Sequence, residues 1–223
     1  MRHRIVLVIV TLAYCLPLIS RGEDQDFKNL FNGKDLAGWE YFLVKDDAQM
    51  KDVWSVEDGI LICKGKPMGY LATKEKYKNF KLVVVWRWAP GKKPGNSGVL
   101  LRITGEPRML PKCVEAQLKS GDAGDIWAFQ GFQVKSDTDR FRKVSTASIG
   151  DFVGVEKKTG NEKPPGEWNK YEITLDGDEL TLAVNGKMVN QCHGCDVVAG
   201  QIGLQSEGGE IHFKTVKLLP LDE

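Results

Sequence analysis

Apolar residues recur at every second position through most of this chain. Leu82, Val84, Trp86 and Trp88 alternate with Lys81, Val83, Val85 and Arg87. Val99, Leu101 and Ile103 alternate with Leu100 and Arg102, and Val114, Ala116 and Leu118 alternate with Glu115, Gln117 and Lys119. Leu180, Leu182 and Val184 share one face, as do Ile202 and Leu204. A period of two is the signature of strands that bury one face. Turn chemistry separates the runs. Asp58-Gly59 sits between Trp54-Ser55-Val56 and Ile60-Leu61-Ile62, Asp176-Gly177 joins Tyr171–Leu175 to Glu179–Val184, and Asn185-Gly186 returns the chain to Lys187–Val189. Such pairs suit two-residue hairpins because both positions tolerate positive φ. Long helical patterns are absent, so the expectation is an all-β fold, a two-sheet jelly-roll β-sandwich.

In a sandwich each strand gives one face to the core and the other to solvent or ligand. The outward set here is Arg87, Arg102, Glu115, Gln117 and Gln205. Planar donors and acceptors of this kind match the paired hydroxyls of a sugar ring, and Trp127 or Trp168 can lie against its C–H face. An ordinary solvated sheet would carry the same residue types, and periodicity alone leaves both readings open.

The first residues bear on compartment. Arg2, His3 and Arg4 form a basic head, and Ile5 to Ile19 is apolar apart from Thr11, Tyr14 and Cys15. Small residues Ser20 and Gly22 precede Glu23, which opens a polar stretch. Residues 1–22 therefore read as a signal peptide, the apolar run being short for a membrane span, and 23–223 as one domain, secreted or periplasmic. Losing Arg2, Arg4 and Arg21 moves the formal charge from +1 to −2. That balance argues against nucleic acid or an anionic membrane as partner of the mature form.

Four cysteines remain after residue 22: Cys63, Cys113, Cys192 and Cys195. The Cys192-His193-Gly194-Cys195 run lacks a second ligand pair at zinc spacing and a following histidine for haem attachment, so a disulfide or inert thiols are expected. Only His193 and His212 survive among histidines, which excludes a histidine-rich zinc site. No cofactor is expected. A hard cation held by carboxylates and carbonyls leaves no sequence signature and stays open.

A longer series of motifs runs in a recognisable order. It includes Phe31-Asn32-Gly33-Lys34-Asp35-Leu36-Ala37-Gly38-Trp39, Trp54-Ser55-Val56-Glu57-Asp58-Gly59, Gly69-Tyr70-Leu71-Ala72-Thr73 and Tyr77-Lys78-Asn79-Phe80. Gly95-Asn96-Ser97-Gly98-Val99, Glu115-Ala116-Gln117, Gly166-Glu167-Trp168-Asn169, Val184-Asn185-Gly186 and Gly203-Leu204-Gln205-Ser206-Glu207-Gly208 follow. The series resembles the 3-keto-disaccharide hydrolases, also described as 3-keto-glucoside lyases and 2-hydroxyglucal hydratases, from about Phe27 to Leu221.

The resemblance implies a concanavalin A-like sandwich, an oligosaccharide or glycoside substrate, and a chemistry with clear demands. A ketone at C3 acidifies the C2 proton; a base removes it, the enolate expels the C1 oxygen, and water adds to the enone. A general base, an oxyanion donor and an acid are needed. Glu115 is the expected base, and Arg102 or Arg87 the expected oxyanion holder. Asn96, Ser97, Gln117, Asp125, Trp127, Trp168, Asn169 and Gln205 are expected to position the sugar. Each has a structural alternative: Glu115 pairing with Arg102 across strands, Asn96-Ser97-Gly98 as a turn, and Trp168-Asn169 as a core aromatic with a strand-entry cap.

Some positions depart from the family pattern. Val85 stands where relatives carry an acid, and Phe213-Lys214-Thr215-Val216 and Gly124-Asp125-Ile126-Trp127 are also altered. A lost carboxylate leaves a binding-only module, of the lectin or laminin-G kind, as the alternative. A retaining glucanase on the same sandwich needs paired carboxylates about 5–5.5 Å apart. The alternate neighbours of Glu115 are Cys113 and Gln117, which supply no second acid.

Overall fold

The computed structural model describes residues 27–147 and 149–222. The expected leader, residues 1–22, lies outside the described residues. In chain order the strands are β1 (Lys28–Asn29), β2 (Trp39–Leu43), β3 (Trp54–Glu57), β4 (Ile60–Cys63), β5 (Gly69–Thr73) and β6 (Phe80–Trp88). Next come β7 (Gly98–Thr104), β8 (Lys112–Gln117), β9 (Ile126–Phe129), β10 (Phe141–Thr146) and β11 (Gly150–Val155). The series ends with β12 (Asn169–Asp176), β13 (Glu179–Val184), β14 (Lys187–Cys192), β15 (Gln201–Ser206) and β16 (Ile211–Pro220). Among the described residues one short helix, α1 (Met50–Val53), precedes β3.

These strands make two antiparallel sheets. The first runs β14-β13-β12-β6-β16-β4-β3, with β1 pairing β16; the second runs β10-β11-β9-β8-β7-β15-β5-β2. Hairpin neighbours alternate with long-range pairings such as β12-β6, β6-β16, β7-β15 and β15-β5, as a jelly roll requires. The alternating apolar residues do what their period demands. Leu82, Val84, Trp86 and Trp88 of β6 share one buried cluster with Val99, Leu101, Val114, Ala116, Leu182, Ile202 and Leu204, all between the sheets. Each Val, Leu or Ile side chain among them contributes about 1.5–3 kcal/mol by leaving water.

Two hairpins form where the turn residues lie. Asp58 and Gly59 (φ 49° and 75°) join β3 to β4, and Asn185 and Gly186 (φ 51° and 79°) join β13 to β14. The third slides by one residue. Asp176 pairs with Glu179, so Gly177-Asp178 is the turn rather than Asp176-Gly177.

The alternation fails in one place, and the failure matters for function. The β7–β8 register shifts between Leu101 and Thr104, where Arg102 adopts φ 52°. This bulge returns Ile103 to the same face as Leu100, although the pattern had placed it with Val99 and Leu101. A second apolar cluster of Tyr70, Ala72, Leu100, Ile103, Leu110, Cys113 and Phe129 results, with Phe42, Trp127 and Phe152 packed against it. It covers part of the outer face of the second sheet, the face that also carries Glu115 and Gln117.

Candidate functional site

Strand β8 sets the site. Val114 and Ala116 point into the core, so Glu115 and Gln117 must project from the other side of the second sheet. There they line a cleft of about 270 Å³. One wall is apolar: Trp127 and Phe129 come from β9, and Phe152 from β11. Trp127 meets Phe152 edge-on at 5.6 Å, and Phe129 lies 5.4 Å from the same ring. Gly154 makes room for this arrangement, since a β-carbon there would fall 2.3 Å from the Trp127 ring. The other wall is polar, with Asn96, Glu115, Gln117, Asp125 and Glu207, and with Lys119 and Asp122 at its edge.

Glu115 occupies an unusual position within this wall. It is only 2% exposed, and its Oε1 has no hydrogen-bond partner among the described residues. Burial drives its carboxyl well above the ordinary carboxylate range, and the nearby charge of Glu207 pushes in the same direction. Glu207 is itself raised by burial, but the Asn96 amide and Lys119 act against that shift. Asn96 is anchored through its N–H to the Gly208 carbonyl at 2.7 Å, while its Oδ1 is buried without a partner among the described residues.

The remaining acids are engaged. Asp125 Oδ1 accepts the Lys157 N–H at 2.8 Å with the Lys157 ammonium 3.8 Å away, and its carboxyl is raised by burial. Asp122 is paired with Lys119 at 2.6 Å and with Lys157 at 3.5 Å, and the Lys119 contact holds its carboxyl below the usual range. Gln117 Oε1 accepts the N–H groups of Leu118 and Lys119, both at 2.9 Å, so its NH₂ end is what remains to offer a ligand.

Asn96, Glu115, Gln117, Asp125 and Trp127 therefore meet in one cleft, as expected of a site. The other expected residues do not. The alternation predicts Arg102 outward beside Glu115, but the bulge turns it to the end of the sandwich. There it is 0% exposed and donates to the carbonyls of Lys78, Gly177 and Asp196 and to Asn79 Oδ1, at 2.6–3.2 Å. It ties three chain segments together and neither pairs with Glu115 nor lines the cleft. Arg87 projects from β6 on the outer face of the first sheet. Its guanidinium lies 4.4 Å over the Trp168 ring, and its Nε is 3.4 Å from His212 Nδ1. Both Arg87 and Trp168 thus belong to the opposite side of the molecule.

Asn169 is buried at the foot of the β13–β14 hairpin, where its Oδ1 accepts from Lys163 N–H and Asn185 Nδ2, each at 2.8 Å. Ser97 is fully buried and donates to the Gln205 carbonyl at 2.8 Å. Gln205 sits on strand β15, paired with Tyr70 and so on the same outer face as Glu115; it is buried, its Oε1 has no partner among the described residues, and it does not line the cleft.

Glu207 was not among the expected site residues, nor were Phe129 and Phe152. A signal for Glu207 was present: it lies two positions beyond Gln205, on the same alternation, just past the end of β15. The β10–β11 hairpin that brings Phe152 carries few paired apolar positions and no strong turn dipeptide, so the sequence pattern does not announce its strands.

The thiols Cys63, Cys113, Cys192 and Cys195 are free and buried, with Cys192 and Cys195 Sγ 3.8 Å apart. Among the described residues, no group of three or more His, Cys, Asp or Glu side chains is placed to hold a metal ion.

Comparison with known proteins gives a consistent picture. A 3-keto-disaccharide hydrolase of Bacteroides thetaiotaomicron is 25% identical over 244 residues, covering 86% of this chain and 78% of the relative. A Parabacteroides distasonis structure proposed to be a glycosyl hydrolase superposes with a TM-score of 0.62 at 22% identity, over 88% of this chain and 94% of that one. The carbohydrate-binding module CBM66 of Bacillus subtilis matches with a TM-score of 0.59 at 13% identity, over 80% and 93% of the two chains. Both structural matches show the shared concanavalin A-like jelly-roll sandwich. The model of the 3-keto-alpha-glucoside-1,2-lyase-like domain matches residues 26–219, and the chain belongs to that family.

Proposed function

We propose that this protein binds a glycoside in the cleft above β8 and cleaves 3-keto-glycosides by deprotonation at C2, elimination at C1 and hydration. The observation that carries the reading is Glu115: a buried carboxyl with an oxygen unpartnered among the described residues, facing a cleft that Trp127, Phe129 and Phe152 also line. A solvated sheet would pair or expose such a group, because a buried unsatisfied carboxyl costs about 1–3 kcal/mol or more. Sites of chemistry retain groups held in this way. The family, the 3-keto-disaccharide hydrolase relative and the carbohydrate-binding fold neighbours all support a glycan ligand.

The aromatic wall supplies faces for the C–H side of a sugar ring. With both expected arginines elsewhere, the donors available to a developing enolate oxygen are Asn96, Gln117 and Lys119. No histidine, metal or cofactor is assigned a part.

The test is to incubate the pure protein with a 3-keto-disaccharide and with the unoxidised disaccharide and to follow the products. Release of both sugars from the keto substrate alone is expected, and Glu115→Gln should abolish it without loss of sugar binding. Wild-type protein that binds sugar and turns over neither substrate would instead make this a binding module.

A further inference from the structure

We propose that the cleft works with two carboxyls in fixed and different roles: Glu207 is the base that takes the C2 proton, and Glu115 is the acid that protonates the leaving oxygen. This inference rests on the cleavage reading above and assigns its proton transfers.

Of the four acids at the cleft, Asp122 is held by Lys119 and Lys157, and Asp125 by the Lys157 N–H. Neither has a free oxygen pair for substrate without breaking those contacts. Glu115 and Glu207 remain. They lie close enough for the charge of one to oppose ionisation of the other, and two like charges in a partly dry site do not both form readily. What surrounds each decides which is ionised. Glu207 is half-buried and has the Asn96 amide and the Lys119 ammonium beside it, both of which favour the carboxylate. Glu115 has neither a cation nor, at Oε1, any donor among the described residues. The thiol nearest along its strand, Cys113, is raised by burial and offers no positive charge. Pairs of carboxyls whose surroundings separate them in this way divide into acid and base.

The proton balance closes over the full cycle. Glu207 carboxylate removes the C2 proton, leaving an enolate at C3. The enolate reforms the ketone as the C1–O bond breaks, and Glu115 gives its proton to the departing alkoxide. Water then adds: the Glu115 carboxylate takes a proton from the water attacking C1, and Glu207 returns its proton to C2. Each carboxyl ends in the state in which it began, and the net reaction is hydrolysis.

The two roles separate in deuterium oxide. Wild-type protein should cleave the 3-keto-disaccharide; if it neither cleaves nor exchanges deuterium at C2, the cleavage reading itself is at fault. Given an active wild type, Glu207→Gln should lose C2 exchange by about 10²–10⁴-fold relative to wild type, with background exchange subtracted. Glu115→Gln should keep exchange while losing cleavage of the disaccharide. The same Glu115→Gln variant should still release nitrophenolate from a nitrophenyl 3-keto-glucoside, because that leaving group needs no proton. Glu207→Asp, which keeps the charge but withdraws it, should fold and exchange slowly if Glu207→Gln is unstable. Exchange lost in Glu115→Gln, or retained in both Glu207 variants, would overturn the assignment.

Discussion

The Glu115 carboxyl lies across Gly98. A β-carbon built on Gly98 would fall 1.8 Å from Glu115 Oε1 and 2.6 Å from its carboxyl carbon. The two residues sit on adjacent strands, β7 and β8, whose register pairs Gly98 with Gln117 and Leu100 with Glu115. The missing side chain at Gly98 is therefore the space in which the acid rests. Gly98 has no positive φ, so its backbone accepts any residue, and only the close approach demands glycine.

Gly98→Ala should consequently fold with little strain of its own and force the Glu115 side chain to swing aside. The expected result is a fall in kcat of at least about tenfold with a small change in melting temperature. Measuring both on the same preparation checks it; normal turnover with a lowered melting temperature would show that Glu115 need not occupy that place.

Glu115 also carries a stability signature. Its folded-state carboxyl is raised above the ordinary value of 4.5, so the folded protein holds that proton where the unfolded chain has released it. Stability linked to this group is fully present below the unfolded value and is lost as pH rises toward the folded one. Glu115→Gln removes the titration. The variant should match wild type near pH 4 and melt at progressively higher temperature than wild type as pH rises through neutrality. Melting curves across that range test this, and a variant less stable than wild type at pH 8 would contradict it.

Arg102 should behave in the opposite way. Its guanidinium satisfies three backbone carbonyls and the Asn79 side chain in a site closed to water. Arg102→Met withdraws the guanidinium from all four acceptors at once and should cost roughly 3 kcal/mol or more. Turnover per folded molecule should stay at the wild-type level. A denaturant curve beside active-site titration separates the two effects, and a stable but inactive variant would return Arg102 to the chemistry.

The two half-exposed tryptophans give a matched pair. Trp127 lines the cleft and Trp168 stacks on Arg87 on the other sheet. Trp127→Ala should weaken sugar binding about five- to tenfold, in line with the roughly 1 kcal/mol of a ring contact. Trp168→Ala should leave binding unchanged. Calorimetry on both variants decides which sheet holds the ligand.

The alternation of β6, β8, β13 and β15 made the sandwich legible, because burial on one face enforces a period of two that few other structures share. Asn96, Glu115, Gln117, Asp125 and Trp127 could be found for the same reason or from the family motifs. Arg102 was misread because a single bulge reverses which way every later residue of β7 points, and nothing in Leu101-Arg102-Ile103 announces it. Arg87 and Trp168 were misplaced for a different reason. The pattern tells inside from outside, but a sandwich has two outsides, and only the strand order shows that β6 and β8 face opposite ways. Glu207 lies inside the Gly203–Gly208 motif, but it stands past the end of β15, where alternation no longer assigns a residue to a face.

The β10–β11 hairpin lies at the end of its sheet and joins the rest through the pairs Val153–Ala128, Gly154–Trp127 and Val155–Ile126. Yet it supplies Val144, Ile149 and Phe152 to the wall that a bound sugar would meet. On the proposed reading, recognition and architecture are carried by different parts of the chain. Lengthening, shortening or recolouring this peripheral flap would reshape which aglycone fits, while the acids on β8 and beyond β15 and the layer between the sheets stay untouched. One scaffold with a single proton-handling centre could in this way be retailored to many glycosides by edits confined to its margin.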